Sequence, residues 1–281
     1  MVTAAPQQHI QLDTIRITYL PDGYALFCPT DLFPTTTPPD WQPYQHLLNH
    51  DGQLVSSVGA YIIQTSNRII LVDVGYCPGQ YIEGSIFLQG GELLSSLKRA
   101  GFAPTDIDIV FLTHLHSDHV RGISQRVNDE QNFIFPNAHF LVRSAEWQRF
   151  ANPAEPRSDV EDALKLLESR IELIEEGESI VPEVTVLATP GHTAGHASLL
   201  VASGDQRAIL LGDTFHSIVQ IEHPTWTNTF DRDPELAKIA RKQMLQELAK
   251  PATIGIGTHF ADSVFGRVML AQGGYQWHMQ R

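Results

Sequence analysis

Apolar residues in this chain fall mainly into short strand-length runs, interrupted by a few stretches with helical spacing, which predicts strands mixed with helices. Strands are predicted over Ile10 to Leu20, Val58 to Ile63, Arg68 to Val72 and Ile107 to Leu112, and later over Glu183 to Ala188, Ala197 to Ala202, Ala208 to Leu211 and Thr253 to Gly257. Thr65-Ser66-Asn67 reads as the turn of a hairpin and Ser203-Gly204-Asp205 as a second turn. A short helix is predicted over Glu92 to Ala100, stopped by Gly101 and Pro104. The clearest helix runs from Ser158 to Ile174: Val160, Ala163, Leu164, Leu167, Ile171 and Ile174 form one stripe, and Ser158 with Glu161 fits a capping box. Another opens at Asp233 and Pro234 and carries the stripe Leu236, Ile239, Ala240, Leu245 and Leu248. Five prolines between Pro29 and Pro43 predict an extended, loop-like segment there. No repeat or low-complexity linker interrupts this order, so residues 1–281 read as a single domain with residues 1–57 as an N-terminal strand and loop extension.

Composition narrows the class. With 42% hydrophobic and 18% charged residues, the 281-residue chain has enough apolar surface to fold, which excludes a disordered protein. Its 19 basic against 32 acidic side chains, a net charge of −13, argue against nucleic acid or an anionic membrane as partner. No run approaches the ~18 apolar residues of a membrane span. Two cysteines, Cys28 and Cys77, are too few for a disulfide framework and read as free thiols. The first thirteen residues lack the basic and apolar regions of a secretory signal, and the expected location is the cytoplasm.

The chemistry concentrates after the strand that ends at Leu112. Thr113 to His119 reads Thr-His-Leu-His-Ser-Asp-His. Alternation places His114 and His116 on one side of an extended segment, and Asp118 and His119 follow as the chain turns. One ion cannot easily take four ligands packed so tightly, but two adjacent ions can, and imidazole with carboxylate suits zinc and its first-row neighbours. Further candidates stand at strand ends beside glycine or proline: His192 in Thr-Pro-Gly-His, Asp213 in Leu-Leu-Gly-Asp, and His259 after Thr-Ile-Gly-Ile-Gly-Thr.

These residues, with Asp73 in Leu-Val-Asp-Val-Gly, make the chain resemble the metallo-β-lactamase superfamily from about Val58 onwards. The resemblance implies an α/β fold, a four-layer αββα sandwich with the metals at one edge between two sheets. It implies that His114, His116 and His192 hold one divalent ion, that Asp118, His119 and His259 hold the other, and that Asp213 bridges both. Zn2+ is the expected metal, with Mn2+, Co2+ and Fe2+ as alternatives. Two ions ~3.5–4 Å apart would share a hydroxide at neutral pH and polarise a substrate oxygen. Asp118 would orient that nucleophile and carry a proton to the leaving group. Asp73 would sit behind the ligands, and His196 would pack or support the same loop as His192.

Within the superfamily, Asp213 points away from many true β-lactamases and towards lactonases, glyoxalase II-type thioesterases, phosphodiesterases and organophosphate hydrolases. Acyl-homoserine lactonases generally carry tyrosine three residues after the bridging aspartate, where this chain has His216. The segment Gly212 to His216, with Gln220, His223-Pro224, His259-Phe260 and Gly266-Arg267, resembles the methyl-parathion-hydrolase-like branch. The implied activity is hydrolysis of an uncharged small-molecule ester, a lactone or a carboxylic or aryl ester, with secondary phosphotriesterase activity and His216 as a catalytic hydrogen-bond donor. A glyoxalase II-like thioesterase and a one-iron persulfide dioxygenase remain as alternatives. Phe33, Trp41 and Trp226 are candidate substrate-binding residues, with Tyr81, Phe87 and Trp147 further aromatics to place. By family analogy the protein is expected to be a homodimer.

Overall fold

A computed structural model describes residues 2–124, 133–150 and 159–280. Among these, two sheets pack face to face. The first contains β1 (Gln8–Leu12), β2 (Ile15–Phe27), β3 (Leu54–Gln64), β4 (Ile69–Val72), β5 (Gly79–Glu83), β6 (Ile86–Gly90), β7 (Ile109–Leu112), β8 (His139–Arg143) and β9 (Ile171–Ile174). Its order is β5-β6-β2-β3-β4-β7-β8-β9, with β1 also paired to β2. The second contains β10 (Ser179–Val181), β11 (Val184–Ala188), β12 (Ala197–Ser203), β13 (Gln206–Leu210), β14 (Thr253–Ile256), β15 (Phe265–Ala271) and β16 (Gly274–Met279), paired in chain order.

The alternation along each strand decides what goes where. In β4, Ile70 and Val72 face the space between the sheets, where Ile17, Tyr19, Phe111, Leu199, Leu210 and Ile256 meet them. Leu71 points the other way, to a layer built on α2 (Leu93–Arg99) and α5 (Glu161–Leu167). In β13, Ala208 and Leu210 face inward while Ile209 and the following Leu211 pack with α6 (Val219–Glu222) and α7 (Pro234–Leu248). Such strands are apolar on both faces, which is why they read as unbroken hydrophobic runs. The result is the expected αββα order. No helix among the described residues is long and apolar enough to cross a membrane, and both cysteines are free.

Several segments differ from the sequence reading. The single strand over Ile10 to Leu20 is two, folded back at Asp13, which takes a left-handed φ of 48°. The long helix over Ser158 to Ile174 ends at Leu167; Ser158 lies outside the described residues, and Ile171–Ile174 is β9, paired in parallel with β8. Ile171 and Ile174 keep helical spacing but are β-branched, and pairing with the edge of β8 makes them a strand with Ile174 facing the inter-sheet core and Ile171 the helix layer. The proline-rich stretch is not extended. Pro29 starts the short helix α1 (Pro29–Leu32), and Pro38 starts a 3-10 stretch reaching Leu47, because proline suits the first helical turn. Helix α7 buries Arg241 and Met244 in its stripe and leaves Ile239 exposed, a rotation taken up below.

Candidate metal centre

Strand β7 ends at Leu112, and the next residues run extended through His116 before α3 (Ser117–Val120) turns Asp118 and His119 back towards the same point. Asp73 anchors this turn from the end of β4, in a left-handed conformation with φ of 61°. Its carboxylate accepts the Thr113 backbone N–H at 2.9 Å, and the Thr113 hydroxyl reaches both of its oxygens. It also contacts His119 Nδ1 at 2.8 Å, which turns His119 Nε2 inward, 3.1 Å from Asp213 Oδ1.

The second sheet supplies its residues one at a time. His192 lies in the loop between β11 and β12, where Gly191 has φ of 132° and a Cβ would stand 2.2 Å from the Ala237 nitrogen. Asp213 follows β13 in a 3-10 turn opened by Gly212; a Cβ there would fall 2.6 Å from His196 Nε2. His196 Nε2 instead accepts the Asp213 backbone N–H at 2.8 Å, and its Nδ1 faces Thr189. His196 therefore holds the backbone of Asp213, and its ring nitrogens are occupied by that task. His259 follows β14 and donates Nδ1–H to the Ser57 carbonyl on β3 at 2.8 Å, leaving Nε2 3.1 Å from Asp213 Oδ2.

The donor atoms fall into two groups sharing one aspartate. His114, His116, His192 and Asp213 have donors within 4.8 Å of one another, as do Asp118, His119 and His259. Asp213 presents Oδ1 to His119, and Oδ2 to His192 at 3.3 Å, His114 at 3.8 Å and His259. His116 Nδ1 and His192 Nε2 face each other at 2.8 Å. Within this crowd, His114 Nε2, His119 Nε2 and Asp213 Oδ1 are buried with no hydrogen-bond partner. Buried polar atoms are normally satisfied. Orphans converging on one point are what ligand atoms look like when cations, rather than hydrogens, are meant to join them. The N/O donor set fits two divalent ions, zinc foremost.

The electrostatics of the protein groups agree. Burial opposes ionisation of Asp213, but His119, His259, His114 and His192 outweigh it and hold the carboxyl well below its usual range. Burial also works against a charged His119, yet Asp213, Asp118 and Asp73 lift it well above an ordinary histidine. His114 is pushed far down by burial and by its neighbour His119. Burial lowers His196 to about 3 and His216 to about 4.

His216 sits in the same cluster, with Nε2 3.2 Å from Asp213 Oδ2 and its ring stacked at 11° on His259. Asp118 is the more open carboxylate, with a side chain 23% exposed and Oδ2 3.6 Å from both His119 and His259. Both line a cavity of about 1090 Å³, whose other side is apolar, formed by Phe27, Leu32, Val58, Ile86, Leu88 and Phe230. Phe33, Trp41 and Trp226 do not line it. They pack on one another behind that wall, with ring centroids 5.4 to 6.3 Å apart, because the chain from Pro29 to Leu47 coils into its own small core with Leu32 and Val219. Tyr81 reaches the cavity; Phe87 and Trp147 do not.

One carboxylate that sequence reasoning missed ties the two halves together. Glu146, fully buried on α4 (Ser144–Phe150), accepts from Leu115 N at 3.1 Å, Thr193 Oγ1 at 2.7 Å and Gly195 N at 3.0 Å. It thus clamps the loop of His114 and His116 to the loop of His192. No local pattern marks such a residue, since its partners, two backbone N–H groups and one hydroxyl, are distant in sequence.

Comparison with known proteins agrees with this geometry. An N-acyl homoserine lactonase from Bacillus sp is 29% identical over 218 residues, covering 71% of this chain and 81% of the relative. The solved structure of AbOPH, a hydrolase in the beta lactamase superfamily, superposes with a TM-score of 0.84 at 26% identity, over 99% of this chain and 98% of that one. AidC, a dizinc quorum-quenching lactonase, shares the fold with a TM-score of 0.85 at 22% identity, over 99% of each chain. The Metallo-beta-lactamase superfamily matches residues 55–259, a span that begins on β3 beside Ser57 and ends on the last histidine of the cluster, and the chain belongs to that superfamily.

Proposed function

We propose that this protein is a metal-dependent hydrolase that opens lactones and related uncharged esters at a two-metal centre. The observation that carries the reading is Asp213, whose carboxylate lies beside ligand atoms of both groups at the floor of a large, half-apolar cavity, Oδ1 next to His119 and Oδ2 next to His192, His114 and His259. In this reading His114, His116 and His192 hold one ion, Asp118, His119 and His259 hold the other, and Asp213 joins them. Bound there, two divalent ions supply a nucleophile at neutral pH and polarise the substrate carbonyl.

The chain's own groups do the rest. Asp73, His196, Ser57 and Glu146 fix the ligand rings and loops, so that little reorganisation is needed at reaction. Asp118 keeps an oxygen towards the cavity, placed to take the proton of the attacking water and return it to the departing alkoxide. For a lactone the alkoxide stays attached and the product is a hydroxy acid. His216 donates a hydrogen bond to the substrate oxygen or leaving group from the cavity floor. The apolar wall receives the hydrocarbon part of the ester and rewards its burial at roughly 25 cal/mol per Å2.

The lactone preference is supported by the N-acyl homoserine lactonases among the relatives. Secondary phosphotriester cleavage, supported by the segment from Gly212 to Gln220, belongs to the same proposal. So do action as one domain over residues 1–281, a homodimeric state by family analogy, and a cytoplasmic location, supported by the two free thiols. The test is elemental analysis of the purified protein together with a panel of lactones, aryl esters, thioesters and phosphotriesters. Two ions per chain and oxygen-independent lactone opening are expected. One iron per chain with oxygen uptake, or exclusive thioester cleavage, overturns the reading.

A further inference from the structure

Behind His192, away from Asp213, lies a buried ion pair that no motif marks. Arg241 of α7 is 0% exposed. It donates Nη1–H to Asp231 Oδ2 at 3.1 Å and Nε–H to the Pro224 carbonyl at 2.9 Å. The Asn228 backbone N–H reaches the same Oδ2 at 3.1 Å. That oxygen is fully used. The other, Oδ1, is buried without a hydrogen-bond partner, and His192 Nδ1, also buried and partnerless, stands 3.4 Å from it. A ring nitrogen of His216 belongs to the same group, within 4.8 Å. The two orphaned atoms face each other at slightly more than bonding distance, so a small tilt of the imidazole closes the contact.

A buried ion pair is weak evidence for stability, because desolvation can exceed the attraction. Arg241 nonetheless occupies a fully buried position on α7 among Ala237, Ala240, Met244 and Leu245. The pair's geometry has a use. An imidazole that donates Nδ1–H to a carboxylate keeps its Nε2 lone pair free and aimed. His192 Nε2 is the atom on the Asp213 side.

We propose that Asp231 is a positioning residue for the metal centre: it takes the Nδ1–H of His192 and fixes the tautomer that ligates through Nε2, while Arg241 holds the carboxylate in place and balances its charge. The proposal rests on the two-metal reading above.

The test measures zinc affinity by chelator competition on the full chain, alongside thermal unfolding of the stripped protein. Removing the Asp231 carboxylate alone strands the Arg241 charge, so the informative variant is the double Asp231→Leu with Arg241→Met, which removes both charges and the acceptor oxygens at similar volume. It is expected to unfold near the parent temperature and to bind one of its two zinc ions about 10–100-fold more weakly, with the other unchanged. A folded double variant holding both ions as tightly as the parent overturns the assignment and leaves the two-metal reading standing. A parent that binds fewer than two zinc ions sinks both. A measurement on the parent alone gives a second check: nitrogen NMR of the zinc-loaded protein should show His192 protonated at Nδ1, and a proton at Nε2 overturns the proposal.

Discussion

The two sheets contribute to the centre in opposite ways. The first delivers His114, His116, Asp118 and His119 from a single turn after β7, and their relative placement is mostly local: an extended segment, then one helical turn locked by Asp73. The second delivers His192, Asp213 and His259 from three separate loops, and distant hydrogen bonds hold Asp213 and His259 in place. Half of the centre is thus a motif, and the other half is assembled by packing. Damage to the first half should stay local, whereas damage to the supports of the second should spread through the loops that carry them.

The largest effect is expected where the halves meet. Asp213→Ala should empty both sites and cost several kcal/mol of transition-state stabilisation, on the order of a thousandfold in turnover. Elemental analysis with lactone assays checks this, and a variant that retains two ions breaks the idea of a shared ligand. Trp41→Ala removes a buried indole from the small core behind the cavity wall and should cost ~3–5 kcal/mol of stability. Since Trp41 does not line the cavity, metal content at low temperature should be unchanged; a drop there would mean that this core also holds the centre. Glu146→Gln keeps the shape of the clamp between the two ligand loops but weakens its pull on three donors. Chelator competition should show a loss of about 10–100-fold in zinc affinity, confined to the site of His114, His116 and His192. His216→Ala should have the smallest effect: one hydrogen bond lost, ~1–1.5 kcal/mol, about tenfold in kcat/KM, with two ions still bound. Unchanged kcat/KM for every lactone and phosphotriester would remove His216 from the mechanism.

Legibility followed the same division. The run Thr113 to His119 could be read as a ligand cluster because its chemistry and its spacing sit in one window. His192, Asp213 and His259 were legible as candidates because each follows an apolar strand and stands beside glycine or proline. Glu146 and Asp231 were not, since a carboxylate in a helix or loop looks solvated until its distant partners are known. Arg241 was hidden for the converse reason: a charged residue inside a helical stripe is ordinarily assigned to the outer face, and only Asp231 explains its burial. Phe33, Trp41 and Trp226 were legible as large apolar groups that could meet substrate, but not as a cluster packed behind the cavity wall. The strand β9 was misread because Ile171 and Ile174 continue the helical spacing of the preceding stripe, and only pairing with β8 shows that they face opposite sides of a strand.

By itself the amino-acid order determined the mixture of strands and helices, the ligand types and the contiguous metal motif, because these depend on alternation and on neighbours within a few residues; the layered arrangement was legible only through the resemblance. Tertiary structure alone decided that Asp213 faces both ligand groups, that Glu146 joins the two ligand loops, that Asp231 comes to stand behind His192, and that Phe27, Leu32, Ile86 and Leu88 belong to the cavity wall. Those outcomes depend on contacts across dozens to hundreds of residues, where sheet packing sets the distances and no local pattern encodes them.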